Sequence, residues 1–269
     1  MGKFENKTVF ITGASAGIGA ALAKEFAQQG ANLVLTARRR ERLQALASEL
    51  TQNGRRAMPL ACDVTKESDL TASVLASVKE FGKINVVVAN AGFSVAGALE
   101  KMKLEDYQRQ FDTNIYGVLR TVYATLEELK KTRGTLVLIG SVSGYIALPG
   151  VSAYSMSKFA VHALARALRT ELKPYGIAVV LIAPGFVTSE IRQVDNQGAY
   201  QSHAQDPIPT WARMPTEKAA RIIVRAIAKR KAEEIITFHG KLSVFLQRHF
   251  PGLISSLVKM GVRGRAEVK

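Results

Sequence analysis

Val9-Phe10-Ile11-Thr12-Gly13-Ala14-Ser15-Ala16-Gly17-Ile18-Gly19 carries an apolar run directly into three closely spaced glycines. Ala20-Ala21-Leu22-Ala23-Lys24-Glu25-Phe26-Ala27 follows with apolar residues at helical spacing, and the pattern stops at Gly30. Strand, glycine turn and helix in immediate succession are the setting of a dinucleotide-binding fingerprint. Glycines let the backbone approach a pyrophosphate, and the helix N-terminus that follows offers it free N–H groups and partial positive charge. The spacing here is G-x-x-x-G-x-G, a departure from the G-x-G-x-x-G of the general rule. Gly13, Ser15, Gly17, Ile18 and Gly19 are the candidate contacts of this turn.

Outward from the turn, the chain keeps alternating. Apolar runs near 7–12, 31–36, 56–61, 84–89, 134–140, 176–183 and 233–238 read as strands. Amphipathic stretches near 17–29, 39–53, 66–81, 104–132 (broken near Thr113), 152–173 and 216–230 read as helices. This alternation predicts a parallel sheet covered on both faces, an α/β doubly wound fold. The 269 residues contain no linker-like stretch or repeat, so residues 1–240 read as one domain and 241–269 as its C-terminal extension. A single cysteine, Cys62, excludes an internal disulfide framework and fits a reducing compartment. No apolar leader opens the sequence and no run of about 20 apolar residues occurs, which predicts a cytoplasmic protein without a spanning helix.

The chemistry centres on Tyr154-Ser155-Met156-Ser157-Lys158, whose first and last residues share one helix face. A free tyrosine titrates near ~10, too high for proton transfer at neutral pH. Lowering it by about 2–3 pH units takes roughly 3–4 kcal/mol of preference for the phenolate. One cation about 4 Å away, at an effective dielectric of ~20, supplies close to that. Tyr154 therefore reads as a general acid/base and Lys158 as the group that tunes it. Alone, such a pair is an ordinary feature of a helix surface. Ser141 upstream and the glycine turn give it company.

Together these residues resemble the short-chain dehydrogenase/reductase family, over about residues 7–238. Thr12 to Gly19 match its T-G-x-x-x-G-I-G turn, and Asn90-Ala91-Gly92 its N-A-G element beside the cofactor. Asn114, Ser141, Tyr154 and Lys158 match the four catalytic positions, and Pro184-Gly185-Phe186-Val187-Thr188 resembles, with one residue fewer, the P-G-x-x-x-T segment that touches the nicotinamide. The resemblance implies a Rossmann-like sheet in the order 3-2-1-4-5-6-7, with the cofactor across the carboxyl ends of the strands. It implies hydride transfer between a nicotinamide and a carbonyl or alcohol carbon, without a metal. Ser141 would hold the carbonyl oxygen, Lys158 the ribose hydroxyls, and Asn114 a water in a relay ending at Lys158. Asp63, followed by Val64, either contacts the adenine or caps a helix. The family also implies a homodimer or tetramer through the helices near 104–132 and 152–173. His162, His203, His239 and His249 have no ligand spacing and read as structural or solvent-facing.

Charge points to the cofactor form. The family's acidic position, which would hold a ribose 2′-hydroxyl, corresponds to Ala37, and Arg38-Arg39-Arg40 follow. A guanidinium at Arg38, with Arg39 beside it, suits a 2′-phosphate, and Ser15 can add a hydroxyl; the expected cofactor is NADP(H). The alternative is that these arginines open a solvated helix. Substrate choice falls to 187–214, a candidate lid containing Tyr200, His203, Asp206 and Trp211, with Phe93, Ser94, Val95, Ser143, Tyr145 and Leu148 as candidate near walls. That mix suggests an apolar substrate.

The extension carries a helical stripe, Leu242, Phe245 and Leu246, then Leu253, Ile254, Leu257 and Val258, among Lys241, Arg248, Lys259, Arg263 and Arg265. It packs on the body or on a partner subunit, or meets a membrane surface. Lys and Arg number 37 against 22 Asp and Glu, a net charge of +15, with no nucleic-acid-binding signature beside it. Acidic membranes and an acyl carrier protein remain as partners. Three readings follow: an NADP(H)-dependent carbonyl reductase or alcohol dehydrogenase, a 3-oxoacyl carrier-protein reductase, and a nonenzymatic NADP-binding or membrane-associated protein on the same fold.

Overall fold

Successive residues of each central strand belong to opposite halves of the interior. Val9, Ile11, Leu33, Leu35, Val88, Val137 and Ile182 pack in one cluster, whereas Phe10, Val34, Val87, Leu136, Leu138 and Leu181 pack in another. This period of two, with both halves apolar, is what a sheet sandwiched between helix layers requires. In the computed structural model, which describes residues 2–52, 54–201, 203–256 and 258, the strands are β1 (Thr8–Thr12), β2 (Asn32–Ala37), β3 (Ala57–Ala61), β4 (Val86–Ala89), β5 (Thr135–Ile139), β6 (Ala178–Ala183) and β7 (Glu233–Ile235). All pairs are parallel and the order is β3-β2-β1-β4-β5-β6-β7, as the resemblance implies. Pro59 lies in β3, an edge strand, where a missing N–H does no harm.

Helices α1 (Gly17–Gln28), α2 (Arg40–Gln52) and α7 (Thr216–Ala228) cover the first face through Leu22, Phe26, Leu43 and Ile223. Helices α3 (Glu67–Phe81), α5 (Gly117–Thr132) and α6 (Ser152–Glu171) cover the second through Val74, Val122, Leu129 and Val161. The order reverses between β1 and β4, so their carboxyl ends open a crevice, the usual ligand position in such sheets.

Two expected boundaries differ. The break near Thr113 is a single π-helical turn, Asp112–Tyr116, joining α4 (Leu104–Phe111) to α5 without interruption. Widening of the helix there is associated with Asn114 facing the interior, where it is buried. β7 stops at Ile235 rather than reaching 238, because the Thr237 hydroxyl accepts the Gly240 N–H (3.2 Å) and starts α8 (Phe238–His249).

α8 buries Gly240 and Val244, while Leu242 and Phe245 stay exposed. Of the expected alternatives (the body, a partner subunit or a membrane surface), packing on the body does not occur at these two positions. Leu257, Lys259, Arg263 and Arg265 lie outside the described residues. Among the described residues no helix is long and apolar enough to cross a membrane.

Phe26 is fully buried and meets Phe4 edge-on, with ring centroids 4.9 Å apart. Phe26→Ala is expected to lower the unfolding free energy by about 3–5 kcal/mol in a urea titration. A loss under about 1 kcal/mol would mean that α1 is not anchored by this contact.

Candidate active site

The glycine turn at the end of β1 is too tight for any other residue at its two ends. Gly13 has φ +66°, and a Cβ on Gly19 would stand 2.3 Å from the Gly13 carbonyl oxygen. Asn90, just past β4, staples the turn: its Nδ2 donates to the carbonyls of Thr12 (2.9 Å) and Gly13 (3.2 Å). In return, Thr12 Oγ1 accepts the backbone N–H groups of Asn90 and Ala91, each at 3.0 Å. The carboxyl ends of β1 and β4 are thus locked together beneath the N-terminus of α1, whose first turn receives no side-chain cap from Ala16. Free N–H groups there suit a phosphate.

The basic cluster after β2 stands next to this turn. Arg39 Nε donates to Ser15 Oγ at 3.2 Å, and Arg39 Nη1 lies 2.7 Å from Glu190. Arg38, to which the sequence reading assigns the 2′-phosphate first, is exposed and donates instead to the Gly198 carbonyl at 3.2 Å. Arg39 is the arginine that meets Ser15. Asp63 does not cap a helix: α3 begins after Lys66, and the Asp63 carboxylate closes the 63–65 turn on the Thr65 N–H (3.0 Å) and hydroxyl (2.8 Å). Val64 packs against Leu70 and blocks the space where a Cβ on Gly117 would sit.

The four residues expected to carry the chemistry come from three elements. Asn114, in the π turn, accepts the Phe93 N–H (3.1 Å) and donates to the Phe93 carbonyl (3.0 Å) and Ser157 Oγ (3.2 Å). It fixes the chain just beyond Gly92 to α6. Ser141, after β5, accepts the Ser143 N–H at 3.1 Å, which leaves its own proton free to be donated. Lys158 is only 6% exposed and donates to the Ile139 carbonyl at 2.9 Å, with Nζ 5.6 Å from the centre of the Tyr154 ring.

The expected tuning of Tyr154 is not what this geometry produces. Burial holds the phenol above its ordinary value, against the pull of the Ser141 hydroxyl and the Arg192 guanidinium. The same burial lowers Lys158 to about 8. Low polarity disfavours both charges, and Lys158 spends its proton on a carbonyl. Tyr154 is consequently a neutral donor in this arrangement.

Two histidines that the sequence reading left as structural or solvent-facing prop the site. His162 Nε2 accepts the Ser141 N–H at 3.3 Å, and its ring meets Tyr145 edge-on at 4.5 Å. Burial and the neighbouring Lys158 charge push it down to about 4, so it stays neutral and able to accept. His239 Nε2 accepts the Phe186 N–H at 3.0 Å, and a Cβ on Gly185 would collide with the Thr237 hydroxyl and the His239 ring. Their signal in the sequence was faint: one helical turn after Lys158, and two residues into α8.

The Pro184 carbonyl accepts the Val142 N–H at 2.8 Å, and Thr188 N–H donates to the Met214 carbonyl at 3.0 Å, closing the base of the 187–214 loop. Val187 is buried in the interior cluster that contains β1 and α7. Inside the loop, Asp206 grips Arg192 through two bonds of 2.7 Å each and Arg213 at 3.0 Å. A cleft of about 640 Å³ lies between the loop and the glycine turn, lined by Gly17, Thr188, Ser189, Glu190, His203 and Asp206 among others. Trp211, in the candidate lid, is 88% exposed, and Leu148 lines a separate cleft with Pro149, Ser152, Met156 and Phe159. Phe93 and Val95 pack with Ala153 and Val194, which gives that side an apolar lining.

Comparison with known proteins shows the family and the fold. A family model described as short chain dehydrogenase matches residues 7–199. Oxidoreductase UcpA of Salmonella typhimurium is 37% identical over 230 residues, covering 85% of this chain and 84% of that protein. Among solved structures, a short-chain dehydrogenase from Sphingobium yanoikuyae in complex with NADPH is 30% identical, with TM-score 0.75 over 93% of this chain and 95% of that one. A short chain dehydrogenase/reductase from Burkholderia phymatum in complex with NAD shares the fold at TM-score 0.83 over 94% and 96%, with 24% identity.

Burying a lysine that titrates near 8 has a stability consequence. Below pH 8 both folded and unfolded chains hold the proton and the folded state bears the cost of the buried charge. Between 8 and the ordinary lysine value of 10.5 the unfolded chain binds more protons, so this group's contribution to stability rises with pH. Lys158→Met is expected to be more stable than the parent at pH 7, with the difference shrinking as pH rises from 8 to 10. Denaturant midpoints across that range check it; a constant or widening difference would show that Lys158 is not buried as a costly cation.

Proposed function

Because the chain belongs to the short-chain dehydrogenase/reductase family and is an oxidoreductase, we propose that it transfers hydride between NADP(H) and a carbonyl or secondary alcohol of an apolar substrate. The observation that carries the cofactor choice is the junction of Ser15 and Arg39 at the end of β2, where Ala37 stands in place of an acid. A guanidinium and a hydroxyl can together take a 2′-phosphate, whereas a carboxylate at Ala37 would be needed to prefer a free 2′-hydroxyl. The two solved neighbours hold NADPH in one case and NAD in the other, so the choice rests on this chain's own residues. The cradle fits the rest of such a cofactor. Gly13 and Gly19 leave the backbone bare, and the uncapped start of α1 offers N–H groups to a pyrophosphate.

When bound, the nicotinamide supplies or takes up the hydride. The protein's part is to place the substrate oxygen and manage its proton. Ser141 has its hydroxyl proton free to donate to that oxygen, and His162 holds the Ser141 backbone in place. Tyr154, kept neutral by burial, delivers its proton as charge grows on the oxygen; in the reverse direction it receives one. Lys158 would hold ribose hydroxyls and, with Nζ 5.6 Å from the Tyr154 ring centre, would stabilise a phenolate as it forms. Asn114 fixes the Phe93 backbone to α6 through Ser157, the wall against which the cofactor would lie. Val64, Asp63, Pro184, Gly185, Val187 and Thr188 complete the proposed surround.

Nothing favours a purely binding role: a binder has no use for Asn114, Ser141, Tyr154 and Lys158 together. The exposed aromatics Tyr116 and Tyr123 on the π turn and α5, with Met156 and Phe159 on α6, support self-association through these helices.

Tyr154→Phe is expected to reduce turnover of apolar ketones by about 10²- to 10⁴-fold while NADPH affinity stays within a factor of about two. Retention of substantial turnover would rule out Tyr154 as the acid. Arg39→Ala is expected to weaken NADPH by about tenfold or more and NADH little, read by nicotinamide fluorescence. Equal losses on both would remove the 2′-phosphate assignment.

A further inference from the structure

Glu190 does not fit the site as described so far. It lies in the first turn after Thr188–Ser189, in the loop that covers the glycine turn; a Cβ on Gly17 would stand 3.3 Å from that of Ser189. From there its carboxylate bridges two arginines of the basic cluster: Oε2 is 2.7 Å from Arg39 Nη1 and Oε1 is 2.6 Å from Arg42 Nη1. Partial burial alone would raise this carboxyl, but the hydrogen bonds and charges of the two arginines outweigh it and hold it below its ordinary value. At neutral pH an anion thus sits on the guanidinium that also touches Ser15. The same loop adds Tyr200, whose ring lies 5.3 Å from the Arg42 guanidinium and 5.9 Å from that of Arg39, and the Gly198 carbonyl, which accepts from Arg38.

We propose that Glu190 is an internal competitor for the 2′-phosphate: it occupies Arg39 and Arg42 as a carboxylate, and an NADP(H) phosphate must displace it, loosening the 187–214 loop from the basic cluster. This deepens the NADP(H) reading and rests on it. The reasoning is chemical. A phosphate and a carboxylate both need the guanidinium edge of Arg39, and side by side they repel. NADH has no 2′-phosphate, so it can enter the cradle with the Glu190 bridge intact. Glu190 is therefore a specificity-determining residue that lowers the preference for the phosphorylated cofactor set by Arg39 and Ser15, and it ties loop release to that phosphate.

The test is fluorescence titration of the full-length protein and its Glu190→Gln variant with NADPH and NADH. Glutamine keeps the size and removes the charge. Expected is a gain of about three- to tenfold in NADPH affinity with NADH affinity unchanged, the latter serving as proof that the variant is folded. In the parent, NADPH but not NADH is expected to speed tryptic cleavage at Arg192 or Arg213 in the loop. An unchanged NADPH-to-NADH ratio in Glu190→Gln, or weaker NADPH binding, would overturn the proposal. Failure of the underlying reading looks different: the parent would show no NADPH preference, and Arg39→Ala would leave both cofactors alike.

Discussion

There is no room for a methyl group at Gly19. Its missing side chain lets the first turn of α1 rest on the Gly13 carbonyl, 2.3 Å from where a Cβ would be, and the rest of the crevice is arranged around that approach. Asn90 can reach both Thr12 and Gly13 only because the turn is this tight, and its two bonds tie β4 to β1 at the point where the strand order reverses. An alanine at Gly19 would push α1 outward, open the staple and move the N–H groups that face the crevice. Fold and site share one steric constraint.

Burial does a second job. Tyr154 and Lys158 lie on α6 where the helix packs against β5 and the Ser141 loop, and low polarity opposes charge on both. A protein seeking only stability would replace this lysine with an apolar residue. Keeping it, bound to the Ile139 carbonyl, holds a cation beside a phenol that, in the proposed reaction, must be a neutral acid before it reacts and a stabilised anion afterwards. His162 obeys the same logic in reverse: driven down to about 4, it is always an acceptor, so the Ser141 backbone is held the same way across the working pH range.

Much of this was legible in the residues. Continuous apolar strands between amphipathic helices announce a doubly wound parallel sheet, because only strands covered on both faces can lack polar alternation. Asn114, Ser141, Tyr154 and Lys158 could be named beforehand because they match a family motif, and spacing alone pointed only to the Tyr154–Lys158 pair. What was not legible depended on tertiary approach. Whether Arg38 or Arg39 turns toward Ser15 depends on how β2 hands over to α2, and both side chains look alike in sequence. The direction in which Tyr154 shifts depends on a balance between burial and a cation distance, neither of which spacing supplies; helical neighbours at i and i+4 can meet, but Lys158 meets Ile139 first. His162 and His239 were passed over because a neutral acceptor has no motif, only a donor across the chain.

The 187–214 loop joins these themes. Val187 and Met214 anchor its ends on the core and Val194 packs near Phe93 and Val95, while Asp206 clamps Arg192 and Arg213 within it and Glu190 ties its outer edge to Arg39 and Arg42. Arg192 is also one of the two groups that pull the Tyr154 phenol downward. The ion pairs of this loop carry charge toward Tyr154 at one end and toward the arginines after β2 at the other. Apolar packing would have made a better seal, but it could not have reported on either. Coulombic contacts respond to a phosphate arriving or a phenolate forming, and a loop held by them can be shifted by the events it covers.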